Sequence, residues 1–230
     1  LFFDTSTFMF RNKKRLFDAI PRLGVIGVSD WITKEAEKSA ILSNAKIYQR
    51  IYNWIDLKKF YPRDTTRLKE KLGIKDEFVI LGATSWNENK GLSHFVSLAK
   101  ELPDIKVILV GKAETDIPEI DNFKCVGRTA NVDELAEYYS LADTLLVCSP
   151  QETFGKVSAE ALACGTPVIT YDTGGSGESV TEDFSCGNRD GERKAAHRRG
   201  KGGDWAGEGG LRSEAAACRG GYPDHAGCRE

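Results

Sequence analysis

Between residues 63 and 183, short, mainly apolar runs alternate with amphipathic stretches, and this alternation leaves few architectures open to the chain. The runs fall at Phe78–Ala83, Ile105–Val110, 123–126, 144–148 and 167–171. A strand with one wet face alternates apolar and polar residues. A strand without that alternation is buried on both faces, as in parallel sheets covered by helices. The stretches between the runs have helical spacing. Within 91–102, Leu92, Phe95, Val96 and Ala99 share one stripe. Asn131 with Glu134 three residues later makes a capping pair for a helix reaching Ala142, and 156–163 is another helix. The pattern predicts an α/β fold, a Rossmann-like parallel sheet wound with helices, over 63–183.

The flanks differ. Residues 1–62 read as a helix, a strand at 24–28, a helix opening at Ser29 and a strand at 46–52, closed by a turn at Pro62 and Asp64. The last 45 residues hold 11 of the 23 glycines and, of Val, Ile, Leu, Phe and Met, only Leu211. Such a segment cannot bury enough apolar surface to offset its ordering entropy. Residues 184–230 therefore read as a disordered tail or as a reading frame that slipped near Phe184. The slip is the favoured reading, because the change falls in mid-domain. The chain opens on Leu1 rather than Met and is expected to be a fragment.

A net charge of −2 gives no field that would gather nucleic acid, and no apolar run reaches the roughly 18–20 residues of a membrane span. The patches 1–3 and 8–10 are too short for a leader. The cluster Arg11, Lys13, Lys14 and Arg15 that follows could touch a membrane surface, but reads first as the solvated start of a helix. Cys125, Cys148 and Cys164 lie in apolar stretches and read as reduced core residues. His197, Cys218, His225 and Cys228 match no zinc spacing, so no metal site is expected.

Ligands of wound parallel sheets bind beyond the carboxyl ends of the strands, and three loops there hold the informative residues. The first runs from Thr84 through Trp86 and Asn87 to Lys90 and Gly91, where a helix begins. A lysine beside exposed helix N–H groups suits a phosphate, although loop lysines are usually only solvated. The second runs from Ser149 through Glu152, Phe154, Gly155, Lys156 and Val157, with Glu160 inside the next helix. Two carboxylates around a glycine could each grip a vicinal diol, but spacing alone favours two surface glutamates at a helix start. The third is the glycine-rich turn 172–178, weak by itself. P-loop, dinucleotide GxGxxG, HExxH and GxSxG patterns are absent, which argues against those enzyme classes.

Taken together, the loops resemble the retaining glycosyltransferases of family 4, which have the GT-B fold. Glu152 to Glu160, continued by Ala161-Leu162-Ala163-Cys164-Gly165-Thr166-Pro167-Val168-Ile169, is similar to that family's E-x7-E signature. Asn53-Trp54-Ile55-Asp56 with Phe60 and Pro62, Lys90-Gly91, Asp133-Glu134-Leu135, the stretch from Tyr139 to Asp143, and Val28-Ser29-Asp30-Trp31 add to the likeness. It covers roughly residues 10–183 and is nearest to bacterial capsular and exopolysaccharide enzymes.

The resemblance implies that 63–183 is the C-terminal donor-binding domain and 1–62 a partial N-terminal, acceptor-side domain with the interdomain link. Lys90 would bind the donor diphosphate, Glu152 the hydroxyls of the transferred sugar and Glu160 the ribose. Lys90 and Glu152 would be the catalytic pair. Main-chain groups of Phe154, Gly155, Lys156 and Val157 would line the diphosphate and sugar, and Gly127 and Arg128 the nucleobase. It implies a hexose transferred with retention from a nucleotide-diphosphate sugar to a glycan or lipid-linked acceptor, without metal or other cofactor. The setting would be the cytoplasm, with peripheral membrane contact through the N-terminal domain. The family normally adds an arginine to the lysine's loop; here Ser85 and Asn89 occupy the candidate positions. The fragment is therefore expected to bind nucleotide and transfer nothing. The rivals are a non-catalytic remnant of a damaged gene and a sugar-nucleotide epimerase on the same fold.

Overall fold

The computed structural model describes residues 5–87, 90–171 and 173–180. The chain forms two compact units, Leu1–Trp54 and Ile55–Glu230.

The first unit holds α1 (Ser6–Asp18), β1 (Gly24–Gly27), α2 (Asp30–Glu37) and β2 (Ile47–Arg50). β1 and β2 pair in parallel, Gly24 opposite Ile47 and Gly27 opposite Arg50. Ser29 opens α2 as an N-cap, its Oγ accepting from the Ile32 N–H at 3.1 Å. A Cβ on Gly27 would stand 2.1 Å from Thr33 Oγ1, so the strand runs directly against α2.

The second unit holds α3 (Thr66–Leu72), β3 (Phe78–Ala83), α4 (Leu92–Glu101), β4 (Ile105–Val110), β5 (Phe123–Cys125), α5 (Val132–Leu141), β6 (Thr144–Val147), α6 (Lys156–Ala163) and β7 (Val168–Thr170). A 3-10 turn at Gly177–Val180 follows. The five strands form one sheet in the order β5-β4-β3-β6-β7, and every pairing is parallel. This is the expected Rossmann-like sheet.

β3 reads as an unbroken apolar run because both its faces are covered. Val79 and Leu81 of β3, Ile108 of β4 and Leu145 of β6 pack with Tyr139 of α5 and Ala161 of α6. The intervening Ile80, Val107, Leu109 and Leu146 pack on the other side with Leu92, Phe95 and Ala99 of α4. Leu81, Val107 and Leu109 are wholly buried, and each such side chain contributes about 1.5–3 kcal/mol of transfer free energy. The sheet therefore has a firm centre, and its loops hang from rigid strand ends.

Two details differ from the sequence expectation. α3 has no signature in the sequence, because only Leu68 and Leu72 are apolar within it and they mark too little of a stripe. It ends on Gly73, left-handed at φ 68°, with Gly73 N–H donating to Glu70 and Ile74 N–H to Lys69. The Asn131 cap forms, its Oδ1 accepting from Glu134 N–H at 2.9 Å, but the Glu134 carboxylate reaches back one residue further, to Ala130 N–H at 2.6 Å.

Candidate functional site

After β3 the chain builds β4 and β5 outward on one side, then returns to build β6 and β7 on the other. The loops leaving β3 and β6 thus start from neighbouring strand ends where the strand order reverses, the place at which wound parallel sheets form their ligand crevice. Each loop ends on a left-handed glycine that begins a helix: Gly91 (φ 77°) before α4 and Gly155 (φ 81°) before α6. A Cβ on Gly91 would lie 2.3 Å from Cys148 Cβ, so the two loops approach as closely as glycine alone permits.

The β3 loop is held by Trp86. Its indole is buried, donates from Nε1 to the Val110 carbonyl at 3.0 Å, and meets Phe95 edge-on at 5.0 Å. Asn87 Oδ1 then accepts from Lys90 N–H at 3.2 Å, while its Nδ2 donates to Glu114 at 3.0 Å. Lys90 is thereby aimed across the crevice. Its ammonium donates to Glu152 Oε1 at 2.8 Å and to Ser149 Oγ at 3.2 Å, both on the β6 loop. Glu152 is fixed from behind, its carbonyl accepting from Gly175 N–H at 2.7 Å, and Gly174 passes so close that a Cβ would lie 2.5 Å from that carbonyl. The glycine-rich turn after β7 is therefore a brace for Glu152.

Glu160 sits one helical turn further in. It is buried, accepts from Tyr139 Oη at 3.0 Å on Oε2, and has Lys156 Nζ 3.6 Å from Oε1. Burial is the largest influence and pushes its carboxyl up, against the lowering effects of the Tyr139 hydrogen bond and the Lys156 ammonium. Neither glutamate is a solvated surface residue. Phe154 is buried and Val157 packs on the core, which leaves main chain as what they offer a ligand. Lys156 is exposed at the start of α6, where a cation opposes the macrodipole.

Gly127 (φ 72°) and the exposed Arg128 follow β5, two strands from β3, and Gly127's carbonyl accepts from Gly111 N–H at 2.6 Å. The structure thus joins Lys90 to Glu152, and Lys156 to Glu160, and leaves Arg128 at the sheet's far side. Glu88, Asn89, Asp172 and the cysteines and histidines of the tail lie outside the described residues. Cys148 and Cys164 are buried and free, each pushed up to about 12 by burial, while Cys125 is half-buried. Among the described residues no three His, Cys, Asp or Glu side chains gather to hold a metal, and no helix is long and apolar enough to cross a membrane. Ser149, Asn87 and Tyr139 carry contacts that loop spacing could not reveal, since each partner is set by the fold.

The family described as Glycosyl transferases group 1 matches residues 64–189, which span the crevice and all its loops. The chain belongs to the group 1 glycosyltransferases. It is 30% identical over 155 residues to N-acetyl-alpha-D-glucosaminyl L-malate synthase of Bacillus anthracis, covering 63% of this chain and 40% of the relative. It is 29% identical over 188 residues to a D-inositol 3-phosphate glycosyltransferase of Mycobacterium sp. (strain KMS), covering 75% of this chain and 41% of the relative. The crystal structure of Anabaena Alr3699/HepE in complex with UDP superposes with a TM-score of 0.59 at 25% identity, over 77% of this chain and 52% of that one. The sucrose-phosphate synthase of Thermosynechococcus elongatus shares the fold, with a TM-score of 0.62 at 24% identity, over 79% of this chain and 49% of that one. This group 1 chain spans less than half the length of these curated relatives.

Proposed function

We propose that the crevice between β3 and β6 is the donor site of a glycosyltransferase that moves a hexose from a nucleotide-diphosphate sugar, with retention, to a glycan or lipid-linked acceptor. The observation that carries this reading is the Lys90–Ser149–Glu152 cluster at the point where the sheet order reverses. In this reading Lys90 exchanges its bond to Glu152 for the diphosphate and neutralises the charge that grows on the leaving group. Main-chain N–H groups of Gly155, Lys156 and Val157 at the open start of α6 add their dipoles to it. Glu152, released, accepts from the sugar hydroxyls, Glu160 takes the ribose, and Arg128 flanks the base. No metal is required, because a lysine and a helix N-terminus together meet the diphosphate. Support for a uridine nucleotide comes from the Anabaena neighbour solved with UDP. A role in polysaccharide synthesis on the cytoplasmic side is part of the same proposal. The chain spans about half the length of these neighbours, and the transfer is proposed of the whole protein.

A second reading rests on the β3 loop itself. Ser85 and Asn89 stand where the resemblance would allow an arginine, so Lys90 faces the diphosphate without a second cation from either position, as a non-catalytic nucleotide binder could tolerate. A titration of this chain with UDP-hexoses and GDP-hexoses against the bare diphosphates separates the two. A sugar nucleotide held more tightly than its diphosphate, with the difference erased by Glu152→Gln, supports the donor site. Equal affinity for sugar nucleotide and diphosphate would leave a nucleotide binder only.

A further inference from the structure

Tyr139 belongs to α5 and to neither loop of the crevice, yet its hydroxyl donates to Glu160 Oε2 at 3.0 Å. Its ring is wholly buried and tilted against Phe60 at 6.2 Å, and its carbonyl accepts from Thr166 Oγ1. Ring and main chain are both fixed, which holds the phenol oxygen at Glu160. Burial first, and the neighbouring carboxylate second, push that hydroxyl well up from its ordinary value, so it remains a donor. One oxygen of Glu160 is thereby pinned from inside the protein. The other stays on the side of Lys156, 3.6 Å away, at the start of α6.

We propose that Tyr139 is a positioning residue for the ribose of the bound nucleotide, fixing Glu160 so that Oε1 meets the vicinal diol at a set angle. The inference rests on the reading of Glu160 as the carboxylate that takes the ribose. A carboxylate free to rotate would spread its lone pairs over many directions, whereas one pinned at a single oxygen presents the second in one direction. A merely structural buried pair is better replaced by apolar side chains, because removing a carboxylate from water is seldom repaid. Here burial outweighs the partners, and the carboxyl stays up beside an open helix start, as groups kept for binding often do. The titratable groups acting on the pair are Lys156, one turn before Glu160, and Cys164, one turn after.

The test titrates this chain with UDP and with dideoxyuridine diphosphate, which lacks the diol, at neutral and mildly acid pH. Tyr139→Phe removes one oxygen and keeps the ring. It is expected to weaken UDP roughly tenfold, to leave the dideoxy analogue unchanged, and to move the acid limb of UDP binding to higher pH. Glu160→Gln should weaken UDP comparably, with no further loss when Tyr139→Phe is added. If Glu160→Gln weakens UDP and Tyr139→Phe does not, the inference falls while the reading of Glu160 stands. Equal losses for both ligands in Tyr139→Phe would also overturn it, as a general packing effect. If the wild-type chain does not distinguish the two ligands, the reading of Glu160 falls and takes the inference with it. Should Tyr139→Phe fold poorly, 3-fluorotyrosine at position 139 keeps the ring and sharpens the donor. The acid limb should then move to lower pH, and an unmoved limb overturns the proposal.

Discussion

Burying Glu160 beneath the crevice sets folding against the ribose contact proposed for this residue. Its carboxyl is pushed up in the folded chain, chiefly by desolvation. A group whose folded value lies above its unfolded one adds stability at low pH, where both states are protonated, and that stability is lost as pH rises through the folded value. Glu160 therefore favours folding most below the ordinary glutamate value of about 4.3 and burdens it at neutral pH. Glu160→Gln keeps an oxygen for Tyr139 and removes the charge. Its thermal midpoint should exceed that of the wild type near neutrality and converge with it in acid, while UDP binding weakens. Melting curves across pH check this, and a lower midpoint at neutral pH would show that the Lys156 and Tyr139 contacts outweigh the desolvation. Glu152 carries the opposite lesson. It is half-buried in a pair with Lys90, and this partner lies 62 residues away in sequence, beyond the reach of any local pattern. Spacing alone favours two surface glutamates. What identified the pair in the sequence was the run from Glu152 to Ile169 as a whole, and the contacts of each carboxylate became visible only when α5 and the β3 loop were in place. Tyr139 was hidden for the same reason, since an aromatic residue in an apolar helical stripe reads as core.

Individual elements follow their end residues closely. Gly73 and Gly91 are both left-handed, at φ 68° and 77°, yet their surroundings differ. A Cβ on Gly73 meets nothing within 4 Å, whereas one on Gly91 would collide with Cys148 at 2.3 Å. Gly73→Ala should cost about 1 kcal/mol, the penalty of the backbone conformation alone. Gly91→Ala should cost clearly more and also weaken nucleotide binding, because the loops of β3 and β6 must part to admit the methyl group. Denaturant midpoints rank the pair, and equal costs would contradict the close approach. Asn131 offers a cleaner case, because its cap bond to Glu134 N–H lies in a solvated turn. Asn131→Ala should destabilise the chain by about 1 kcal/mol without touching nucleotide affinity. The same elements show what a sequence displays. β3 and β4 are legible residue for residue, because a run that is apolar throughout, or broken only by Lys106 near its start, reports burial on both faces. α3 is not, because a seven-residue helix with two apolar positions shows no periodicity.

At the scale of the molecule, strand order places the chemistry. With β3 central and the chain turning back to β6, the loops bearing Lys90 and Glu152 must face each other, whatever their sequences. The order itself was not readable from periodicity, which reports that a strand is buried and not which strand lies beside it. The family match over residues 64–189 and the parallel sheet agree on the same half of the chain. We propose that this crevice takes a nucleoside diphosphate through Lys90. Isothermal titration of the 230-residue chain with UDP, beside its Lys90→Ala variant, tests it most directly. One-to-one binding by the wild type, weakened roughly tenfold or more in Lys90→Ala with the fold intact, is the predicted result. No binding by the wild type, or equal binding by a well-folded Lys90→Ala, would contradict it.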